Sequence, residues 1–424
     1  MSPAKFAPIL IFTFFGMASA QQGALQPAGL SLIEALRVTL GYHPQIQIGA
    51  AQVVINQGVL QQASGAFDTA LQAGASQNFQ KTPLSEFQSL VGAQSGFPGD
   101  TTDTNTTLAN AGVSRLFRNG ISVSPTWMLQ RLRDTQTNLG GVNNSQMALQ
   151  MTIPLLRNRG REAVTAQESA AKFNVDAGNG DLNEIIAELL ANTAASYWAY
   201  AGALDSLEVA RASEERGRVF VSNVQTLIDA DRVPRSDIQQ VEANLAQRAG
   251  DRILAEEQAV IARQRLALAM GLASNQIAEL GRPSQDLPEK GDVAPDIAPE
   301  LIRRYIGEAL DRRPDVQAAR QRIGASRAQV VAAKNRILPE VDVTVSSGYS
   351  SLRNGDTPLA FLISPFPDAH GFNLAAGITY NFSPANNAAK GVLLQTQGAE
   401  RQAELQLLDV TRTIASSVVI ALQG

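Results

Sequence analysis

The 424-residue sequence contains no cysteine and only two histidines, His43 and His370. That removes thiol nucleophiles and disulfides, and it leaves little from which to build a soft-metal site. Charged residues make up only 17% of the chain and aromatics 5%. With a net charge of −4 and no Lys/Arg cluster, no phosphate-neutralising face exists, so a nucleic-acid partner is excluded. The two histidines have no acid–serine arrangement near them, and no glycine-rich phosphate loop is present. The residues call for no enzyme activity, no catalytic residue, no cofactor and no metal. After the N-terminus, no apolar run approaches the roughly 20 residues of a membrane-spanning helix.

The N-terminus itself reads as an export signal over residues 1–20. Lys5 is the basic flank, Phe6 to Met17 the apolar core and Ala18-Ser19-Ala20 the small-residue cleavage site. If the exported chain crosses a membrane, it does so by strands.

Helical periodicity dominates what is present. Leu32 to Ala66 repeats apolar residues at Leu36, Leu40, Ile46, Val53, Leu60 and Ala63. His43-Pro44 predicts a short helix, a turn, and a longer helix starting near the proline, whose missing N–H is harmless at a first helical position. A far longer helical hairpin is predicted over 157–280. Ile186, Leu190, Thr193, Tyr197, Ala201, Leu204, Val219, Phe220, Val224 and Leu227 mark a buried stripe on its first arm, and Ile238, Val241, Leu245, Ala249 and Ile253 one on its second. At 1.5 Å per residue the arms would reach on the order of 100 and 65 Å. The break between them, the tip, falls at 229–237. Gly178-Asn179-Gly180 is a weak point in the first arm: a continuous or slightly bent helix is expected through it, against a fresh helix start capped by Asp181-Leu182-Asn183-Glu184. Asp205, Glu208, Glu214 and Glu215 share that arm with Arg211, Arg216 and Arg218, as pairs three and four apart on a solvated face.

Between the helices the period changes to two. Strands are expected at about 69–80 and 145–155, with a possible extra hairpin over 106–132 around Arg118-Asn119-Gly120. Met147, Leu149, Met151, Ile153 and Leu155 alternate with Gln146, Ala148, Gln150 and Thr152. A half-buried sheet in a soluble protein gives this pattern, and so does a transmembrane barrel strand. The export signal, the scarcity of charge and the absence of any fully apolar strand favour the barrel.

After a connector over 281–299 the chain repeats itself. At a shift of 270 residues Leu40, Pro44, Ile46, Gln47, Val53 and Ala63 meet Leu310, Pro314, Val316, Gln317, Ile323 and Ala333. Leu71, Ala73 and Ala75 fall on Val341, Val343 and Val345. At a shift of 227, Thr152 and Leu155 fall on Thr379 and Phe382. Each copy reads helix, strand, strand, long helix: the first over 21–280, the second over 300–424. Under the second shift Gly424 corresponds to Tyr197, so the second copy is expected to be truncated.

This order resembles the TolC family of outer-membrane efflux and secretion channels. The resemblance rests on Leu30-Ser31-Leu32-Ile33-Glu34-Ala35-Leu36 followed by His43-Pro44, on Gly65-Ala66-Phe67-Asp68, and on Ile153-Pro154-Leu155-Leu156-Arg157. In the second copy it rests on Arg313-Pro314-Asp315 and Leu338-Pro339. Ile153 stands where the family commonly has Gln, and Asp231 where it commonly has Gly. The hairpin over 106–132 is an insertion relative to the best-known members. The resemblance implies a mainly α fold with a β-barrel portion. Three protomers would share one outer-membrane barrel, four strands from each, continued by a periplasmic α-helical barrel. Leu, Val, Ile and Met would face outer-membrane lipid, Gln, Ser, Asn and Thr would line water, and Phe79, Tyr349, Tyr380 and Phe382 would form aromatic girdles. The partners implied are two further copies in a homotrimer, a periplasmic adaptor and an inner-membrane transporter. Ala230, Asp231, Arg232, Val233, Pro234, Arg235 and Ser236 form the tip that would dock the adaptor. The function implied is a passive exit duct for an efflux pump or a type I secretion system. The alternative from a different class is a non-conducting periplasmic coiled-coil scaffold, or a degenerate channel paralogue.

Overall fold

A computed structural model describes residues 29–96, 99–135, 141–273, 275–277, 280–285, 287, 298–355, 357–366 and 369–423. The expected signal at 1–20 lies outside them, as do residues 286 and 288–297 of the connector. Two helices open the described chain, α1 (Leu32–Tyr42) and α2 (Pro44–Ser64). They part at His43, as the proline demands. A 3-10 turn, Gly65–Phe67, leads into β1 (Thr69–Pro83). After β1 the polar stretch contains a helix not expected from the sequence, α3 (Glu86–Gln94), whose Ser85 and Gln88 form a reciprocal capping box. Then come β2 (Thr101–Leu116), β3 (Ser122–Asp134) and β4 (Val142–Pro154).

A single turn, α4 (Arg161–Val164), precedes α5 (Ala166–Asp229), 64 residues long. Its partner α6 (Asp237–Ala269) has 33 residues. The second arm therefore ends at Ala269, well short of the expected 280, because Gly271 takes φ +75 and stops the helix in a left-handed cap. The second copy supplies α7 (Pro299–Arg312), α8 (Pro314–Arg336), β5 (Glu340–Asn354), the short α9 (Pro358–Leu362), β6 (Ala369–Asn381) and α10 (Asn387–Gln423). Shifted by 227, the bounds of β4 become those of β6.

All six strands form one antiparallel sheet in the order β1-β2-β3-β4-β5-β6. The four strands expected from the resemblance are thus six among the described residues. The hairpin β2–β3 is wider than the 106–132 expected and lies inside the sheet, between β1 and β4.

The chain divides into two compact units that interleave along the sequence. One comprises the described residues of 1–48 and 185–294. Its core is Leu30, Ala35, Tyr197, Tyr200, Leu266, Ala267, Met270 and Leu280. Tyr197 buries its ring completely because its hydroxyl donates to the Leu30 carbonyl at 2.9 Å. Thr193 and Thr39 share a hydroxyl contact of 3.1 Å, and Thr193 donates to the Ala269 carbonyl at 3.0 Å. No buried polar atom of these three side chains is left without a partner.

The other unit comprises the described residues of 49–184 and 295–424 and holds the sheet with its supporting helices. Small residues decide the packing here. A Cβ on Gly178 would stand 2.6 Å from Asn56, one on Gly180 2.9 Å from the Pro314 carbonyl, and one on Gly324 3.0 Å from the Phe173 ring. The helix α5 runs unbroken through Gly178-Asn179-Gly180. These glycines are where a side-chain amide, a backbone carbonyl and a ring come close, at a cost in helix propensity of about 1 kcal/mol each.

Candidate duct wall and hairpin tip

The sheet has two chemically different faces, set by the two-residue period of its strands. One cross-strand row reads Ala73, Ala111, Trp127, Met147, Tyr349 and Phe372, in register across all six strands. The neighbouring row, on the opposite face, reads Gln72, Gly112, Thr126, Ala148, Gly348 and Asn373. Leu71, Leu149, Leu374 and Ile378 extend the apolar face, and all four are exposed. Asn110, Gln146, Gln150 and Ser346 extend the polar face. That face carries no charge between the Ser122–Thr152–Thr344 row and the Gln130–Asn144–Leu352 row.

Of the expected girdle aromatics, Phe79 is 65% and Tyr380 65% exposed. Tyr380 and Phe382 are ring neighbours at 6.4 Å. Tyr349 stacks on His370 at 5.9 Å. His370 lies in β6. Trp127 joins them unannounced: an isolated Trp beside Pro125 gave no alternation to read, and only its pairing with Met147 places it. Its indole N–H donates to Ser145 Oγ at 3.1 Å.

Beyond that row the apolar face turns polar, through Asn143 and Ser145 on β4 and Ser351 and Arg353 on β5. There α9 is strapped down. Ser351 donates to the Ser364 carbonyl at 2.7 Å, and Asn143 Nδ2 to the Gly355 carbonyl at 2.8 Å. At the opposite end the β2–β3 turn is clamped. Arg118 forms a bidentate pair with Glu168 at 2.9 and 2.7 Å and lies 4.8 Å over the Phe67 ring. The hydrogen bonds from Arg118, reinforced by its charge, hold the Glu168 carboxyl below the usual carboxylate range against the opposing effect of burial.

The tip is built by a helix end. α5 stops in a Schellman motif: the Arg232 N–H donates to the Leu227 carbonyl and the Asp231 N–H to the Ile228 carbonyl, both at 2.9 Å. The residue that must go left-handed is Asp231, with φ 54. This explains the departure noted in the sequence, since Asp tolerates the conformation that Gly adopts most freely. Ser236 does not cap α6; its hydroxyl turns to Asp237 Oδ1 at 3.1 Å. Ala230, Asp231, Arg232, Pro234, Arg235 and Ser236 are exposed and Val233 is half-buried. Arg232 and Arg235 carry no ion pair among the described residues.

Behind the tip, the arms are tied by charges that the sequence assigned to a solvated face. Glu214 is buried and takes Arg218 at 2.8 Å on its own arm and Arg252 at 2.6 Å on the other. Arg252 continues to Glu256 at 2.8 Å, and Arg211 reaches Glu256 at 3.7 Å. Burial opposes ionisation of Glu214, but the hydrogen bonds and charges of Arg218 and Arg252 outweigh it, so its carboxyl titrates below the usual range. Of the expected stripe on α5, Thr193, Tyr197, Ala201 and Val224 are buried, while Val219, Phe220 and Leu227 are exposed. One neighbouring arm can cover only one face.

His43 is buried at the start of α2, its Nδ1 accepting the Gln45 N–H at 3.1 Å. Burial lowers its pKa. α10 is, among the described residues, long and apolar enough to cross a membrane by length and composition. It lies along α8, with Arg327 reaching Glu400 at 3.2 Å and Glu404 at 3.6 Å.

Residues 305–419 match the family model described as outer membrane efflux protein. No curated protein matches the chain. Solved structures do. The outer-membrane channel OprN aligns with a TM-score of 0.58 at 18% identity, covering 92% of this chain and 72% of its own. The Campylobacter jejuni CmeC outer membrane channel gives 0.60 at 14%, covering 92% and 71%. The outer membrane protein VceC from Vibrio cholerae gives 0.59 at 17%, covering 90% and 75%. The second copy thus carries an outer membrane efflux protein segment, and the chain as a whole shares its fold with these solved outer-membrane channel proteins.

Proposed function

We propose that the chain is one subunit of a passive exit duct in the outer membrane of a Gram-negative-type cell envelope, serving a tripartite efflux pump or a type I secretion system. The observation that carries this reading is the two-faced sheet with both edges open. A face of exposed Leu, Ile and Phe suits lipid, and a face of uncharged Gln, Asn, Ser and Thr suits a water-filled lumen. Strand edges survive in a bilayer only when every backbone group is paired, so three copies close the wall. The hairpin tip, with Arg232 and Arg235 presented to solvent around a half-buried Val233, docks a periplasmic adaptor, and an inner-membrane transporter supplies energy and cargo choice.

The lack of native cysteine makes the test direct. Leu149→Cys and Gln150→Cys differ by one residue and by one face. In membranes, Gln150→Cys is expected to react with a water-soluble maleimide, and Leu149→Cys only with a lipid-dissolved one. Planar bilayers should show conductance. Equal reaction at both positions, in a protein recovered soluble from the periplasm and never conducting, would favour the scaffold and reject the duct.

A further inference from the structure

We infer that the membrane wall of this duct is an eighteen-stranded barrel, and that its outer-membrane end is accordingly wide enough for large, hydrated cargo. The inference rests on the duct reading and adds to it the size of the pore. Three copies of a six-stranded sheet supply the strands.

The decisive observation is where the inserted hairpin lies. The internal repeat matches β1 with β5 and β4 with β6, so β2 and β3 have no counterpart in the second copy. They do not hang from the sheet as a loop. β2 pairs with β1 without interruption from Thr69↔Arg115 to Pro83↔Thr101, and β3 with β4 from Ser122↔Thr152 to Leu132↔Val142. β1 and β4 are held apart by the full width of the hairpin, and both faces keep their chemistry across it. The turn is fixed at the wall's helical end. Arg118 is gripped by Glu168, and the Gly160 N–H donates to the Asn119 carbonyl at 3.3 Å. Gly120, at φ +96, has the Asn158 carbonyl 2.1 Å from where a Cβ would be.

The occupant of the open edges is a second copy of this chain. β1 has 15 residues and β6 has 13, so a neighbour's β1 can pair along the whole of β6. Both exceed the roughly 9–11 residues needed to span the hydrocarbon layer. With strands about 4.8 Å apart and tilted by about 40°, eighteen strands close at a backbone radius of about 18 Å, and twelve at about 12 Å. The wall radius grows by about half, and the lumen left inside it grows by a larger factor, because the side-chain length subtracted from both is constant. An eighteen-stranded wall belongs to the size class that leaves an aqueous channel.

Electron cryomicroscopy of the full chain in lipid nanodiscs, with the mass of the particle measured alongside, tests this. The expected result is three copies around one ring of eighteen strands with a backbone radius of about 18 Å. Three copies around twelve strands, with 101–134 off the wall, would overturn the inference and leave the duct intact. So would two copies closing a twelve-stranded ring. A particle with no ring in lipid overturns the duct reading and this inference together. A second readout needs no image: Gln150→Cys should react, from the outer side, with maleimide polymers of radius about 10 Å, which a twelve-stranded wall excludes.

Discussion

Glu214 is the residue on which the hairpin's electrostatics turn. It is buried between the arms, with Arg218 and Arg252 both in contact, and such a carboxylate is costly when either partner is lost. Its folded pKa is depressed below the ordinary 4.5. The stability it contributes is therefore present above that ordinary value and is lost as pH falls through the lower folded value. Thermal unfolding followed by circular dichroism should show a midpoint that drops on acidification below about pH 4.5. Glu214→Gln should start lower at neutral pH and fall less over the same window. An equal acid slope in the variant would show that other carboxylates carry the effect. Glu214 was legible as a charged helix residue, but its cross-arm partner was not. Arg252 lies 38 residues away, and periodicity reports which face a side chain occupies without saying what lies opposite.

Among the elements, the β2–β3 hairpin differs most from what the repeat alone suggests. Its turn was readable, since Asn119-Gly120 between alternating runs is a strong hairpin signal. Its place was not, because strand order is a matter of pairing between distant segments. Gly120→Ala meets both a left-handed φ and a carbonyl at 2.1 Å. A strained φ alone costs about 1–3 kcal/mol, and the contact adds to it. We expect a clear fall in thermal midpoint, with early hydrogen exchange confined to β2 and β3. Unchanged exchange there would mean that the turn does not anchor the hairpin. α3 was missed for a different reason. Its nine residues are too few for a periodic signal, and its capping box, Ser85 to Gln88, sits inside a polar stretch that composition alone marks as loop.

For the whole molecule, assembly with a partner is the remaining prediction. The tip is a rigid helix end rather than a slack loop, because the Schellman bonds to Leu227 and Ile228 hold it. Val233→Cys, placed between two arginines that have no ion pair among the described residues, should crosslink to a cognate periplasmic adaptor. A cysteine on the α6 surface at mid-helix, such as Gln247→Cys, should not. Crosslinking only from the mid-helix site would remove the tip as the docking surface. The tip's position was legible from Asp229 to Asp237, since Pro234 and the change of period mark it. The reason Asp231 stands there became clear only with its φ of 54.

What the amino-acid order determined by itself was local and repetitive. Helices parted at His43-Pro44, the long hairpin kept its period through Gly178-Asn179-Gly180, and strands alternated over two faces; each follows from residues a few positions apart. The duplication was equally plain, because two copies of one pattern can be compared within the chain. Only the tertiary structure decided that the sheet has six strands rather than four and that the two compact units interleave along the chain. It alone paired Glu214 with Arg252 and Trp127 with Ser145. The physical reason is common to all of these. Periodicity encodes how a segment meets its own neighbours, whereas pairing partners are chosen by the free energy of burying and satisfying groups that are far apart in the chain.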